Sequence, residues 1–377
     1  MASPGVAALV AERVRRTGPL RFDEVVELAL YHDEVGFYGR GGHAGRAGDF
    51  ITSPEVGPLF GAVLARALDV WWHELHRPDP FVVVEAGAGV GTLARAVLDA
   101  RPACASALRY VLVERSAVLR RRQEEQLSLE PARLALGPVG PDDPDLGRRP
   151  IAGVGPVVTA LAELPVGPFT GVVLANELLD NLAFRLLERT RQGWAEVRVG
   201  EGLDEVLVAA DADVVAEANR LVPDAEPGAR IPLQHDAQAW LREALGALEA
   251  GRVVVVDYAD ATASLARRPW TTWVRTYRAH GRGGHPLEHL GEQDVTCEVA
   301  VDQLSHVRAP SADRSQADFL RALGLDTLVA DARDAWLARA GVGDLEALRH
   351  RSRITEAQAL ADPSGLGGFR VLEWEVR

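Results

Sequence analysis

The sequence contains no lysine: all 41 of its basic residues are arginine. That absence excludes two chemistries. There is no lysine to form a Schiff base with a pyridoxal cofactor, and none to reach the phosphates of a nucleoside triphosphate from a P-loop. Cysteine is almost absent too. Cys104 and Cys297 are the only two. They make no CxxC pair and no disulfide framework, so a reducing, cytoplasmic setting is the expectation. No run of roughly 18 apolar residues occurs, so no membrane span is expected. The N-terminal stretch has a short apolar run followed, not preceded, by charge, which is the wrong order for a signal peptide. An excess of positive charge is also lacking. The 41 basic residues face 54 acidic ones, for a net charge of −13. Nucleic-acid binding usually needs a basic surface, so no nucleic-acid partner is expected. The balance leans instead toward a cationic partner, such as an arginine-bearing protein segment. His280, His285 and His289 lie in a glycine-rich stretch at irregular spacing without a cysteine pair. No metal site is expected there.

What is present is an ordinary globular composition, 47% hydrophobic and 25% charged in 377 residues. That length accommodates one elaborated domain or two modest ones. Apolar residues recur at helical spacing over 5–16 and 22–31. Residues 36–50 are glycine-rich and read as a long loop. Ser53-Pro54-Glu55 reads as a helix start, with serine capping and proline at the first position, and the helix is expected to run to about His76. After the break at 77–80, buried strands and helices alternate. PFVVVEAG, RYVLVE, FTGVVLA and RVVVVDYA read as strands, and TLARAVLDA and 115–130 as helices. Residues 131–156 read as loop with one short strand, 184–199 as a hairpin, 211–221 and 236–250 as helices. Residues 260–314 read as irregular, and GGFRVLEWEVR as a closing strand. The order implies an α/β, doubly wound, mostly parallel sheet. An N-terminal helical extension (1–76) precedes a core (77–183). A hairpin and helical insertion (184–250) and the remaining core strands (251–377, with a lid-like segment at 260–314) follow.

The glycine loop carries the most chemistry. Val82-Val83-Val84-Glu85 runs into Gly87, Gly89 and Gly91 and then a helix. Glycines there allow a tight turn and close approach of a ligand at the carboxyl end of a strand. A dinucleotide site would read GxGxxG, but position 92 is Thr92. The spacing is GxGxG, the form typical of S-adenosylmethionine sites. Glu114 ends the next strand, where an acid accepts the hydroxyls of a ribose. Glu85 is placed to order the loop or to reach the cofactor's amine through water. Thr52 and Ser53, a hydroxyl pair at a helix start, suit a carboxylate.

Gly48-Asp49-Phe50-Ile51-Thr52-Ser53-Pro54-Glu55, the glycine loop, Asn176-Glu177-Leu178-Leu179-Asp180-Asn181-Leu182 and Asp257-Tyr258 occur in this order. Together they resemble the MidA family, bacterial relatives of the mitochondrial complex I assembly-factor methyltransferase. The likeness spans roughly residues 20–372, and Tyr277-Arg278-x-His280 and Gly291–Thr296 also look like family segments. It implies a class I methyltransferase (Rossmann-like) fold and S-adenosylmethionine as cofactor. The mitochondrial relative's activity implies a protein arginine acceptor. The chain departs from the family pattern at Ala88, Val90, Ala183, Ala259 and Gly365–Gly368, which leaves the substrate open.

Asn176, Glu177 and Asp180 begin where the strand FTGVVLA ends, the side of an open α/β sheet where ligands bind. They are the candidate catalytic residues, with Glu177 and Asp180 as a carboxylate fork suited to a guanidinium. The same acids suit a hydroxyl or amine. Three readings therefore stand: a protein arginine methyltransferase, a small-molecule O- or N-methyltransferase, and a non-catalytic assembly factor. A homodimer is compatible with each.

Overall fold

The computed structural model describes residues 5–42, 52–137, 150–278 and 281–377. They divide into two compact units, both discontinuous in sequence. One comprises Ile51–Asn176, Ala244–Val256 and Pro310–Arg377; the other comprises Met1–Phe50, Glu177–Glu243 and Asp257–Ala309.

The first unit is built on a seven-stranded sheet. Its strands, in chain order, are β1 (Phe81–Ala86), β2 (Leu108–Val113), β3 (Val157–Leu161), β4 (Phe169–Asn176), β5 (Leu248–Asp257), β6 (Ala312–Ser315) and β7 (Arg370–Val376). Their spatial order is β6-β7-β5-β4-β1-β2-β3. β1 through β5 pair in parallel, whereas β6 runs antiparallel to β7. The doubly wound, mostly parallel sheet expected from the sequence is thus found. Every residue of β1 and β2 is buried, which explains why these strands read as continuous apolar runs instead of alternating. Alternate residues such as Phe81 and Val83, Val172 and Leu174, and Val254 and Val256 join one core cluster with Leu59, Phe60, Leu64 and Trp71. Strand order reverses beside β1, where β2 lies on one side and β4 on the other. That is the switch point at which open α/β sheets take ligands.

The second unit has its own core. Val10, Phe22 and Val26 from the N-terminal helices Val6–Thr17 and Phe22–Tyr31 pack with Phe184, Val197, Trp273 and Cys297. The expected hairpin, Arg185–Thr190 with Gly193–Val199, lies inside a five-stranded sheet. Among the described residues no helix is long and apolar enough to cross a membrane.

Several local expectations are corrected. The helix from Ser53 to about His76 is two helices, Ser53–Val56 and Pro58–Glu74, with Thr52 and not Ser53 at the first N-cap. Pro58 is the cause, because proline disfavours the helical conformation in the residue before it and supplies no N–H to continue the ladder. Buried Glu356 accepts the Leu59 N–H at 3.0 Å and so satisfies one of the donors the break exposes. The region 131–156 holds a short helix, Ala132–Leu136, and the strand follows it at Val157–Leu161. The helix expected over 236–250 ends at Gly246, and β5 begins at Leu248. Residues 260–314 are not irregular. Val274–Arg278 pairs antiparallel with Asp294–Cys297 and Gly281–Arg282. These short strands meet across a long sequence gap, so local periodicity gave no sign of them. Gly48–Ile51 and His280 lie outside the described residues.

Candidate active site

The glycine loop begins at the end of β1. Gly87 and Ala88 both donate their N–H to Val113 O, at 2.9 and 3.0 Å, which ties the turn to β2. Gly87, Gly89 and Gly91 have φ of 70°, 53° and 85°, in the left-handed region that L side chains rarely adopt. A Cβ at Gly89 would meet nothing within 4 Å, so that side of the loop is open for a ligand's approach; at Gly91 it would come within 3.0 Å of Leu127 Cδ1. Gly91 then caps the helix Thr92–Asp99.

Of the two predicted acids, Glu114 bonds the loop itself. Glu114 Oε2 accepts the Gly89 N–H at 3.0 Å, and its Oε1 accepts the Ser116 N–H at 2.7 Å. Gln123 Nε2 donates to Gly89 O at 2.8 Å, so both polar groups of this peptide segment are clamped. Burial raises the Glu114 carboxyl, partly opposed by those backbone donors. Glu85 accepts the Tyr110 hydroxyl at 2.6 Å. Burial pushes Glu85 up to about 7 against the stabilising effect of Tyr110 and of the Ala94 N–H in the first turn of the following helix. Thr52 and Ser53 are both buried, and Ser53 Oγ donates to Gln316 Oε1 at 2.9 Å. The residues assigned to the cofactor therefore lie on the sheet unit. Glu114 and Gln123 are bound to Gly89 of the loop, Glu85 to Tyr110 and the following helix, and Ser53 to Gln316.

Two segments of the sheet unit end at Asn176 and Val256, and the residues that follow them form a buried acidic cluster in the other unit. Asn176 ends β4, paired with Val256 of β5. Glu177 follows with φ of 52°, a left-handed conformation that is costly for a residue with a Cβ and a feature of functional turns. The short turn Leu179–Asn181 comes next. Asp180 is 3% exposed. Its Oδ2 accepts the Tyr258 hydroxyl at 2.6 Å, and its Oδ1 is buried with no donor in full hydrogen-bond geometry, the N–H groups of Asp180 and Asn181 acting on the carboxyl only as nearby dipoles. Burial pushes Asp180 up to about 6, against the pull of Tyr258, of neighbouring backbone donors and of the Arg275 charge. Asp257 orders the turn: its Oδ2 accepts the N–H groups of Leu179 and Asp180 at 3.1 and 3.2 Å, and its Oδ1 accepts that of Tyr258 at 3.0 Å. Burial, with the charges of Asp180 and Glu177, raises Asp257 well above the usual carboxylate range.

Asp294 is a member the sequence reading did not select. It is fully buried, and its Oδ1 accepts Asn181 Nδ2 at 2.9 Å and the Tyr38 hydroxyl at 3.2 Å. Burial, and then the Asp180 charge, push it up to about 7. Asp257 was within reach of a rule already applied to Glu85 and Glu114, an acid at the carboxyl end of a buried strand. Asp294 was not, because its segment shows no periodicity that would place it.

A parallel sheet with a glycine loop at its switch point, and acids at the ends of the two strands beside that loop, is the plan of an α/β protein that binds an adenosyl ligand. Comparison with known proteins names the family. The family described as "Putative S-adenosyl-L-methionine-dependent methyltransferase" matches residues 63–317, and the chain belongs to it. It is a methyltransferase with S-adenosylmethionine as its cofactor, and a methyl acceptor is its second substrate. The chain is 27% identical over 339 residues to the human mitochondrial protein arginine methyltransferase NDUFAF7, covering 83% of this chain and 72% of that protein. For the Xenopus tropicalis protein of the same name the identity is 25% over 335 residues, with coverage of 83% and 74%. A crystal structure of a COG1565 superfamily member from Burkholderia thailandensis bound to S-adenosyl-homocysteine matches with a TM-score of 0.78 at 25% identity. That match covers 100% of this chain and 95% of the other.

Proposed function

We propose that this methyltransferase transfers its methyl group to a guanidinium nitrogen of an arginine in a protein substrate. The observation that carries the reading is Asp180: a carboxyl buried to 3% exposure, with one oxygen held by Tyr258 and the other without a donor. A buried carboxylate oxygen lacking a donor costs about 1–3 kcal/mol, and a substrate donor removes that cost. The likeness to proteins named as arginine methyltransferases supports the same acceptor.

The loop residues fit the cofactor. Gly87, Gly89 and Gly91 let backbone approach it, and the open side of Gly89 leaves room. Glu114 uses one lone pair of each oxygen on backbone N–H groups, which leaves acceptor capacity for two ribose hydroxyls. Glu85 suits the amino group through water. Ser53 spends its hydroxyl proton on Gln316, so Thr52 supplies the hydroxyl donor to the carboxylate. The cofactor supplies a methyl group activated by positive sulfur. Asp180 binds the acceptor and takes the proton released from its nitrogen, which its raised titration suits. Glu177 adds a second negative charge beside the turn, and Asn176 orders the strand end from which the turn departs.

The test is incubation with methyl-labelled S-adenosylmethionine and a lysate, followed by acid hydrolysis of labelled protein. Label recovered as methylarginine supports the reading. Label found only in small molecules, or in another amino acid, overturns it.

A further inference from the structure

Asp180 and Asp294 share a pattern with one other buried acid, Glu298, which differs from them in facing Arg268 and Arg275. Each has one oxygen tied down and one buried oxygen with no donor: Asp180 Oδ1 and Asp294 Oδ2. Both carboxyls are essentially inaccessible, at 3% and 0% exposed. The two are fixed with respect to each other through one dipeptide. Asp180 is followed by Asn181, whose side-chain N–H donates to Asp294 Oδ1. The Tyr38 hydroxyl bonds both Asn181 Oδ1 and Asp294 Oδ1, at 3.1 and 3.2 Å, and the Tyr31 hydroxyl holds Asn181 O at 3.1 Å. Each acid is thus braced from several elements, yet each keeps an acceptor atom that the protein does not use.

No basic side chain among the described residues pairs with either acid within 4.0 Å. Arg275, whose charge bears on Asp180, is already engaged. Its Nε donates to Thr272 O at 2.9 Å, its guanidinium lies 4.9 Å from the centre of the Tyr258 ring, and its Nη2 is 3.8 Å from Glu298. Among the described residues no group of His, Cys, Asp and Glu is arranged to hold a metal ion. Both oxygens are thus open to a donor that the described protein residues do not supply.

We infer that Asp294 is a second substrate-binding carboxylate, and that Asp180 Oδ1 and Asp294 Oδ2 together receive the guanidinium of the acceptor. The inference rests on the proposed arginine reading and deepens it. Two buried acceptor atoms on two like-charged groups call for a ligand with positive charge and several N–H donors. A guanidinium has five donors in a fixed plane and keeps its charge while bound. A hydroxyl has one donor and no charge. An amine accepts a methyl only as the neutral base, and so brings no charge to balance two carboxylates. The pair Asp180 with Asp294 is proposed beside the fork expected from the sequence, Glu177 with Asp180.

The experiment uses the full-length protein saturated with S-adenosylhomocysteine. Calorimetric titration compares an acetyl-Gly-Arg-Gly-amide peptide with its citrulline counterpart, which keeps the shape and loses the charge. The expected result is at least hundredfold preference for arginine in the wild type. In Asp294→Asn, affinity for the arginine peptide falls at least tenfold and the preference narrows, while affinity for S-adenosylhomocysteine stays unchanged. Asp294→Glu retains part of the preference, and the retained cofactor affinity certifies that each variant is folded. If Asp294→Asn binds the arginine peptide as the wild type does while Asp180→Asn does not, Asp294 has no part in recognition and the inference is overturned with the arginine reading intact. If the wild type binds arginine and citrulline peptides equally, the paired-carboxylate receptor fails whatever the variants do. If the wild type binds neither and labels only small molecules, the arginine reading falls first and takes the inference with it.

Discussion

Two sets of buried acids in this protein are treated in opposite ways. On the sheet unit, Glu114 and Glu85 have their oxygens met by the protein: backbone N–H groups of Gly89 and Ser116 for one, the Tyr110 hydroxyl and the Ala94 N–H for the other. In the acidic cluster, Asp180 and Asp294 are each left with a bare buried oxygen. Satisfied acids hold a loop in a shape before any ligand arrives. Half-satisfied acids carry a standing cost that a ligand removes. On the proposed function, the comparison separates a part held rigid by its own bonds from a part that a ligand would complete.

The strongest way to break this comparison is Asp180→Asn. Methyl transfer is expected to drop roughly 10²–10⁴-fold, the range for loss of a positioned acid–base group, while cofactor affinity measured by titration does not change. A parallel loss of cofactor affinity would mean that the two sets of acids are not separate in function. Glu114→Ala probes the other side. It removes two charge-assisted bonds to backbone, each worth about 1.5–3 kcal/mol when intact. Cofactor affinity is expected to fall about 10–100-fold and the melting temperature to drop, because Gly89 loses its anchor.

A pH series sharpens the comparison at a smaller scale. Burial holds Glu85 at about 7, Asp180 at about 6 and Asp294 at about 7, whereas unfolded carboxyls titrate near about 4. The folded state keeps its protons to higher pH than the unfolded state does. The stability these groups contribute is present below about pH 4 and is lost as pH rises through about 6 to 7. Thermal melting at a series of pH values should show that decline, and Asp294→Asn should flatten part of it. Methyl transfer should rise over the same window, since a guanidinium is bound by ionised acids.

The smallest effect concerns Glu177. Its left-handed backbone favours glycine, so Glu177→Gly should raise the denaturant midpoint by about 0.5–1 kcal/mol of stability with an unchanged slope, while activity falls. Equal or lower stability would show that the side chain, not the backbone, sets the cost of this turn.

The legibility of the two regions in the sequence differs for the same reasons. The glycine loop and Glu114 could be read because strand, turn and acid are contiguous and obey a local rule. Asp180 could be placed because its segment follows directly from a strand with a continuous apolar run. The split at Gly57–Pro58 was also local, yet the capping signal of Ser53-Pro54 masked it. Asp294 and Tyr38 could not be found this way. They reach Asn181 from sequence positions far away, 113 and 143 residues distant along the chain, and nothing near them in the sequence records that meeting.

The sequence alone therefore determined the sheet unit's plan, the glycine turn, the acids at its strand ends and, through the absent lysine, the chemistries the protein does not perform. These follow from period, backbone freedom and side-chain type, which act over a few residues. Only the tertiary structure decided which carboxylates are satisfied and which are left open, because that depends on donors brought together from distant segments and on the burial that makes an unmatched oxygen costly.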